Sequence, residues 1–580
     1  MHRLASLARL VVSTAAPATV AATAIVTAEA SAQQRFERVS VSGSGVEGNA
    51  NQPSDFARVS ADGRFVAFSS NATNLAPNDA NGRLDVYLRD RQLGTTVLIS
   101  ANPAGFAGND RSELADLSED GRFVVFLSWA SDLVPGDSNG FRDLYVRDRD
   151  PDGNGLFDEA NATTIRATLG AGGVQPNEQC TSGSISADGR FIAFDSDASN
   201  LVAGDVEGRT DVFVRDLSSG AIERVSVTAG GAGGNGYSVR AAISRDGSKV
   251  AFASAASNLV AGDSNGALDL FLRDLGSDVT TRVSLRDDGG EIAGDSDDYE
   301  MSGDANRFVW WSGHDGIVAD DANRRADVFL RDVAAGTTRR LSIAADGSDG
   351  DKSAELPHVS PDGEWVVFQS DSTNLAGLET NGTADAFLWE AATGKLRKLS
   401  VHVNGVEGDA RSSALDVSDG GVAIPCFSDS FDLIGGDANG LFDLLVRDRT
   451  LPDPEARWSN YDAGWPGTLG IPSLVLDANP VMGTTIGVEL GNSAGSPALG
   501  FLYCGMSAIA VPTRLGGTLL VDPAALMVLL VDVDGTKVAC DLPLDEALAG
   551  VSAYAQLLLL DPGASRGVAF SRGLEAVLGQ

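Results

Sequence analysis

Apolar residues along this chain come in short runs, alternating or continuous, broken by Gly, Asp, Asn and Ser. That rhythm predicts strands joined by turns, not a helical bundle. Three of the runs recur in fixed order. The first reads VSADGRFVAF, LSEDGRFVVF, ISADGRFIAF, ISRDGSKVAF, MSGDANRFVWW, VSPDGEWVVF and VSDGGVAIPCF. The second reads RLDVYLRD, FRDLYVRD, RTDVFVRD, ALDLFLRD, RADVFLRD, TADAFLWE and LFDLLVRD, closing on Asp90, Asp148, Asp216, Asp274, Asp332, Glu390 and Asp448. Successive steps are 58, 68, 58, 58, 58 and 58 residues, so the second unit carries ten extra. The third is a β-branched run: FERVSV, TTVLIS, TTIRAT, IERVSV, TTRVSL, TTRRLS and LRKLSV.

Each unit therefore holds four strands. One ends at a Ser-x-Asp-Gly hairpin turn, a second leaves it, a third ends in Arg-Asp, and a fourth is the β-branched run. Gly63, Gly121, Gly189, Gly247, Gly363 and Gly421 mark the turn, and the fifth unit has Ala305 there. Four antiparallel strands repeated seven times predict an all-β, seven-bladed β-propeller over 33–450. Phe36–Val41 precedes the first complete unit, and the last unit lacks a fourth strand. The N-terminal run is thus expected to complete the seventh blade and remove two open sheet edges. The turns between first and second and between third and fourth strands are short and share one face. The long, Gly- and Asp-rich connections share the other, where binding is expected.

Ser-Ala-Asp-Gly-Arg-Phe-Val-Ala-Phe-Ser-Ser followed by Asp-Val-Tyr-Leu-Arg-Asp resembles the WD-repeat-like propeller repeat of TolB-like bacterial proteins, over roughly residues 35 to 450. The resemblance implies fold; propellers host many activities, so it assigns none. TolB itself has six blades and an N-terminal α/β domain, in place of the seven blades and added C-terminal module read here.

Charge narrows the partners. Eighty acidic residues against 43 basic ones give a net charge of −37, which disfavours nucleic acid and anionic lipid. Arg3 and Arg9 precede an Ala/Val-rich stretch ending Ala30-Ser31-Ala32, so 1–32 is read as a signal peptide cleaved after Ala32. No later segment is long and apolar enough to span a bilayer. The mature chain is expected to be a secreted monomer: periplasmic, cell-surface or extracellular. After Pro452 and Pro454 the repeat is lost. Runs such as TIGVEL, ALGFLY, MVLLVDVDGTKVAC and YAQLLLLDPG predict a β-sandwich over 451–580. It holds Cys504 and Cys540, either bonded to each other or free.

Two acidic patterns invite chemistry. Asp79, Asp137, Asp205, Asp263, Asp321, Glu379 and Asp437 hold one loop position, with Asp85, Asp143, Asp211, Asp269, Asp327, Asp385 and Asp443 six residues later. They read either as a cation-binding ring or as ties within the repeat; recurrence in every unit favours ties. The ten-residue insertion contains Asp148, Asp150, Asp152, Gly153, Asn154 and Glu159. The Asp and Glu positions fit a Ca²⁺ loop, D-x-D-x-D-G-x5-E, in which alternate hard oxygens converge on one ion. A structural Ca²⁺ held by Asp148, Asp150, Asp152, Asn154 and Glu159 is the expectation; an ion-free acidic hairpin tip is the alternative. G-x-S-x-G occurs at Gly491-Asn-Ser493-Ala-Gly495, but no histidine follows His402, so a nucleophile elbow is excluded. No catalytic residue or organic cofactor is assigned. The reading is a non-catalytic scaffold binding a protein or glycan through its long-loop face. A carbohydrate-active enzyme with an acidic axial cleft and a calcium-dependent structural surface protein are the alternatives.

Overall fold

Each Ser-x-Asp-Gly segment folds as its residues dictate. In the first, Ser60 Oγ donates to Asp62 Oδ1 at 2.6 Å and accepts the Phe65 amide at 2.9 Å, while Gly63 takes the left-handed region at φ 74°. The same Ser-to-Asp bond recurs at Ser118, Ser186, Ser244, Ser302 and Ser360. In the fifth turn Ala305 sits at φ 56°, a conformation that penalises a Cβ. Ala305→Gly is expected to stabilise the protein by roughly 0.5–1 kcal/mol, raising the urea midpoint with an unchanged slope.

The structure is a computed structural model. It describes residues 36–449, except 51–52, 206–207, 297, 322, 345, 377–381, 401–409 and 429–440; beyond 450 it describes strands and a few residues near them. The segment read as a signal peptide lies outside the described residues. The chain divides into two compact units, one of them 35–400 with 407–450.

That unit is a ring of seven four-stranded antiparallel sheets. Blade one is Pro53–Val59, Phe65–Ser70, Asp85–Asp90 and Thr95–Leu98, paired in that order from the axis outward, and five more blades repeat it. Blade seven is Ser412–Ala414, Ala423–Ser428 and Asp443–Asp448, completed by Phe36–Arg38 from the start of the ring. Phe36, Glu37 and Arg38 face Arg447, Val446 and Leu445, and the Val39 amide donates to Leu444 O at 2.9 Å. The expected closure is thus the observed one.

Middle strands are buried on both faces because each sheet packs between two others, which explains their continuous apolar runs. In six blades an aromatic from the second strand stacks on one from the third, from Phe68–Tyr87 to Phe368–Phe387, with centroids 5.6–5.9 Å apart. Each pair contributes about 0.5–1.5 kcal/mol beyond area burial. Blade seven has Cys426 and Leu445 there instead, both buried.

The second unit is described through its strands. Arg457–Tyr461, Gly573–Val577, Ser552–Leu560, Ala498–Gly505 and Ala525–Val531 pair in that order, with Val568–Phe570 beside Ser552–Leu560. Leu474–Leu476, Thr485–Leu490 and Thr536–Asp541 form another sheet, and Ala508–Pro512 pairs with Thr518–Val521. Cys504 lies in the first sheet and Cys540 in the second; their side chains fall outside the described residues. Cys180 and Cys426 are free and buried. Helix among the described residues amounts to two three-residue turns, Ala171–Gly173 and Asp419–Gly421, and no helix is long and apolar enough to cross a membrane.

Candidate functional site

The repeat-wide carboxylates are structural. All seven of Asp85, Asp143, Asp211, Asp269, Asp327, Asp385 and Asp443 are buried. Each accepts a hydroxyl at 2.5–2.9 Å from the residue two positions beyond its blade's fourth strand: Ser100, Thr168, Ser226, Ser284, Ser342, Ser400 and Ser40 in turn. A cation beside each neutralises it in six blades: Arg166, Arg224, Arg282, Arg340, Lys398 and Arg38. The preceding loop carboxylates Asp137, Asp205, Asp263 and Asp321 pair with the first four of those arginines. Glu379 and Asp437 lie outside the described residues. Among the described residues these carboxylates therefore tie the blade together, and they form no open crown of acid facing solvent.

Chemistry concentrates where the repeats disagree. One position of the innermost strand, spaced by the repeat, is Arg58, Asp116, Ser184, Ala242, Glu300, His358 and Asp416 in blades one to seven. Repeat-wide residues build the repeat, so a position that differs in nearly every blade is free to serve a ligand. Arg58 Nη2 reaches Glu300 Oε1 at 3.1 Å, Arg58 Nε lies 3.9 Å from Asp116 Oδ1, and His358 Nδ1 lies 3.0 Å from Glu300 Oε2. Arg58, Asp116, Glu300 and His358 keep 18–19% of their side-chain surface exposed, so a ligand on the axis can touch them.

The carboxylates also join blades. Asp116 Oδ2 accepts the Ile185 amide at 2.9 Å, Glu300 Oε2 the Val359 amide at 3.1 Å, and Asp416 Oδ2 the Val59 amide at 2.8 Å, each from the next blade around the ring. Burial raises the Asp116 carboxyl above its ordinary range and, against the pull of Arg58, pushes Asp416 up to about 6. Burial acts the same way on Glu300, but Arg58 and His358 outweigh it and hold that carboxyl below its usual range.

Below this belt the axis is stoppered. The short turns pass backbone hydrogen bonds from blade to blade: Ala61 N to Glu119 O, Ala187 N to Arg245 O, Arg245 N to Gly303 O, Gly303 N to Pro361 O and Asp419 N to Ala61 O, at 2.7–3.2 Å. Arg245 crosses to Glu119 and reaches Asp419 Oδ2 at 3.4 Å. Above the belt, inner strands carry β-bulges in blades one to four and six. Arg240 and Leu356 sit at φ 58° and 54°, backbone strain that clusters where a site is shaped. Arg240 pairs with Asp298 at 2.7 Å and Arg142 with Glu113 at 3.3 Å, and Trp129 lies under the guanidinium groups of Arg111 and Arg142. Small residues on blades three and four, Gly183, Ser184 and Ala242, leave a cavity of about 440 Å³ against the charged side of the belt. It is a funnel floored by the short-turn residues Ala187, Arg245, Gly303 and Pro361 and reaching Glu113, Arg142 and Arg240 at its other end.

The insertion emerges on the short-turn face, as its place between third and fourth strands requires. Phe157 packs edge-on against Phe65 at 5.0 Å, and the buried Arg149 binds Asp158 at 2.6 Å and Gly121 O. Asp148 is held bidentately by Arg122 at 2.8 and 2.9 Å, the bond that Arg64 makes to Asp90, while Arg190 donates twice to one oxygen of Asp216. Asp150 accepts the amides of Asn154 and Gly155, while Asn154 Nδ2 donates to Asp152 at 3.2 Å and Glu159 at 2.9 Å. Four of the five sequence-predicted ligands thus gather around Asn154, and Asp148 is engaged elsewhere. Among the described residues no three His, Cys, Asp or Glu side chains group as a metal site.

A closed ring with every blade of the same strand order decides the architecture. The chain is a seven-bladed, WD-repeat-like β-propeller. Solved structures of similar form include a TolB of Agrobacterium tumefaciens, at 16% identity and TM-score 0.31, covering 52% of this chain and 83% of that one. RRP9 WD40 repeats match at 9% identity and TM-score 0.37, over 72% and 98% of the two chains. The periplasmic gluconolactonase PpgL of Pseudomonas aeruginosa matches at 16% identity and TM-score 0.29, over 63% and 92%. No protein-family model and no curated protein matches the chain.

Proposed function

We propose that this propeller is an exported, non-catalytic binding scaffold that seats part of a protein or glycan partner in its axial funnel. The observation that carries this reading is the axial belt: one repeat position that differs in nearly every blade, lining a cavity closed at one end. The belt's carboxylates serve structure and binding together, since both oxygens of Asp116, Glu300 and Asp416 already accept bonds or pair with Arg58. The Arg and Asp pairs at the mouth, with Trp129, supply the mixed polar and aromatic contacts that partners of either class use. The insertion, in this reading, holds a structural Ca²⁺ through Asp150, Asp152, Asn154 and Glu159. The ion neutralises clustered carboxylates and stiffens the loop. The C-terminal unit is taken as a β-sandwich that localises the protein.

The test is capture from a cell-envelope extract by the full mature chain and by Arg240→Ala and Glu300→Gln, with and without a chelator. A partner retained by the parent and lost at least tenfold by the variants, independent of chelator, is expected. Undiminished capture by both variants overturns the funnel as the site. One observation favours an acid–base enzyme instead: Asp416 held up and Glu300 held down across one guanidinium. Reducing-sugar release from envelope glycans, abolished by Asp416→Asn, would establish that second reading.

A further inference from the structure

Two departures from the repeat meet on the short-turn face, away from the funnel. The first is in blade one. Leu93, in the turn between third and fourth strands, stands where blades three to six carry Ser219, Ser277, Ala335 and Thr393. Val97, on the fourth strand, stands where blades three to seven carry Glu223, Thr281, Arg339, Arg397 and Glu37. The second departure is the insertion of blade two, which brings Leu156 and Phe157.

These four residues line one groove of about 280 Å³ between the blade-one turn and the insertion. Val97 and Phe157 pack on the core that holds Phe65 and Leu88, so the groove has a fixed apolar floor. Its lips are Leu93 and Leu156, left 68% and 59% exposed. A single exposed leucine is ordinary. Two that flank one groove, the first at a position where sister blades are polar or small, mark a surface shaped for an apolar guest. The groove shares no lining residue with the funnel.

Charge selects the guest. Arg64 and Arg149 reach the groove, but Asp90 and Asp158 neutralise them. In the insertion, Asp150, Asp152 and Glu159 accept bonds from amides and from Asn154, and they form no ion pair among the described residues. A Ca²⁺ in the insertion would balance two of those three charges and leave the third. An anionic membrane is repelled by such a rim, and so is a second copy of this chain, which carries −37.

We infer that the groove docks a segment of a partner protein. A Leu, Ile, Met or Phe side chain of that segment enters between Leu93 and Leu156, and a Lys or Arg beside it faces the insertion. The apolar anchor supplies affinity by filling a desolvated pocket, and the flanking charge fixes register and excludes acidic partners. This docking is independent of what the funnel binds.

Random peptides displayed on phage and panned on the full mature chain test this, after depletion on the chain carrying both Leu93→Ser and Leu156→Ser. Both positions are exposed, and Leu93→Ser installs the residue of blades three and four, so folding is not at stake. Enriched sequences are expected to place an apolar residue next to Lys or Arg. A synthetic peptide of the leading sequence, followed by fluorescence anisotropy, should bind each single variant about tenfold or more weakly than the parent. Val279→Thr, at an equally exposed apolar residue of blade four, should leave its affinity unchanged. Enrichment of acidic or purely polar sequences, no enrichment over the depleted pool, or equal affinity for parent and both leucine variants would overturn the proposal. So would a parent that sediments as a dimer which Leu156→Ser splits, since a second copy would then fill the groove.

Discussion

A chain that begins at residue 42 is expected to lose the cooperative propeller, while one that begins at residue 35 keeps it. Phe36, Val39 and Val41 are buried in the ring, and removing them forfeits about 1.5–3 kcal/mol each. Their strand also carries Ser40 and Arg38, the partners of Asp443, and Glu37, the partner of Arg91. Asp443 would lose the Ser40 hydroxyl and the Arg38 cation, at about 3–5 kcal/mol for one broken pair. The sum approaches or exceeds the roughly 5–15 kcal/mol that holds an ordinary domain together. The exposed Asp443–Asp448 edge would then recruit strands from other molecules. Thermal melts followed by circular dichroism, with light scattering, read both effects. An unchanged midpoint for the shorter chain would contradict them.

Arg58→Met should be the most damaging single change on the axis. It leaves Asp116, Glu300 and Asp416 facing one another, with His358 the remaining cation source acting on Glu300 and Asp416 among the described residues. At pH 7.5 the expected loss is about 3–5 kcal/mol, the range for one partner removed from a buried pair. The pH dependence has a defined sign. Asp416 already has a folded-state value near 6, above that of an unfolded chain, so its contribution is greatest at low pH and is lost as pH rises through 6. Removing Arg58 raises Asp116 and Asp416 further and lifts Glu300 from its depressed value, and their protonation relieves the repulsion. The gap between variant and parent should therefore narrow as pH falls from 7.5 to 5. A gap that is constant or widens would show that Arg58 acts through packing alone. Urea titrations at the two pH values measure it.

Sequence carried the ring but not the funnel. Seven recurrences of one serine-led hairpin turn, five of them Ser-x-Asp-Gly, and of a strand that opens on Asp and closes on Asp or Glu predict blades, because periodicity exposes what repeats. The missing fourth strand of the last unit likewise pointed to Phe36–Val41. The recurrence of Asp85 and its equivalents favoured a role within the repeat, and the seven Ser or Thr hydroxyls bear that out. Arg58, Asp116, Glu300, His358 and Asp416 escaped the same reading because it looks for sameness. Subtracting the repeat consensus from each inner strand would have singled them out. The stoppered floor is built from backbone groups of residues as unlike as Ala61, Glu119, Gly303 and Pro361, and no side-chain pattern encodes it. Asp148, read as a Ca²⁺ ligand, also takes a bidentate bond from Arg122, a partner 26 residues earlier across a strand pair that the local pattern does not reveal.

The funnel and its two faces exist only if the ring closes through its first strand, and a disulfide across that seam reads closure directly. Glu37 and Val446 are opposed in register, and opposed residues of an antiparallel pair fall within disulfide reach. Glu37→Cys with Val446→Cys should oxidise within one molecule, giving a faster-migrating monomer on a non-reducing gel and a higher melting midpoint. Two thiols that stay reduced in the folded protein, or that bond only between molecules, would contradict the closed ring.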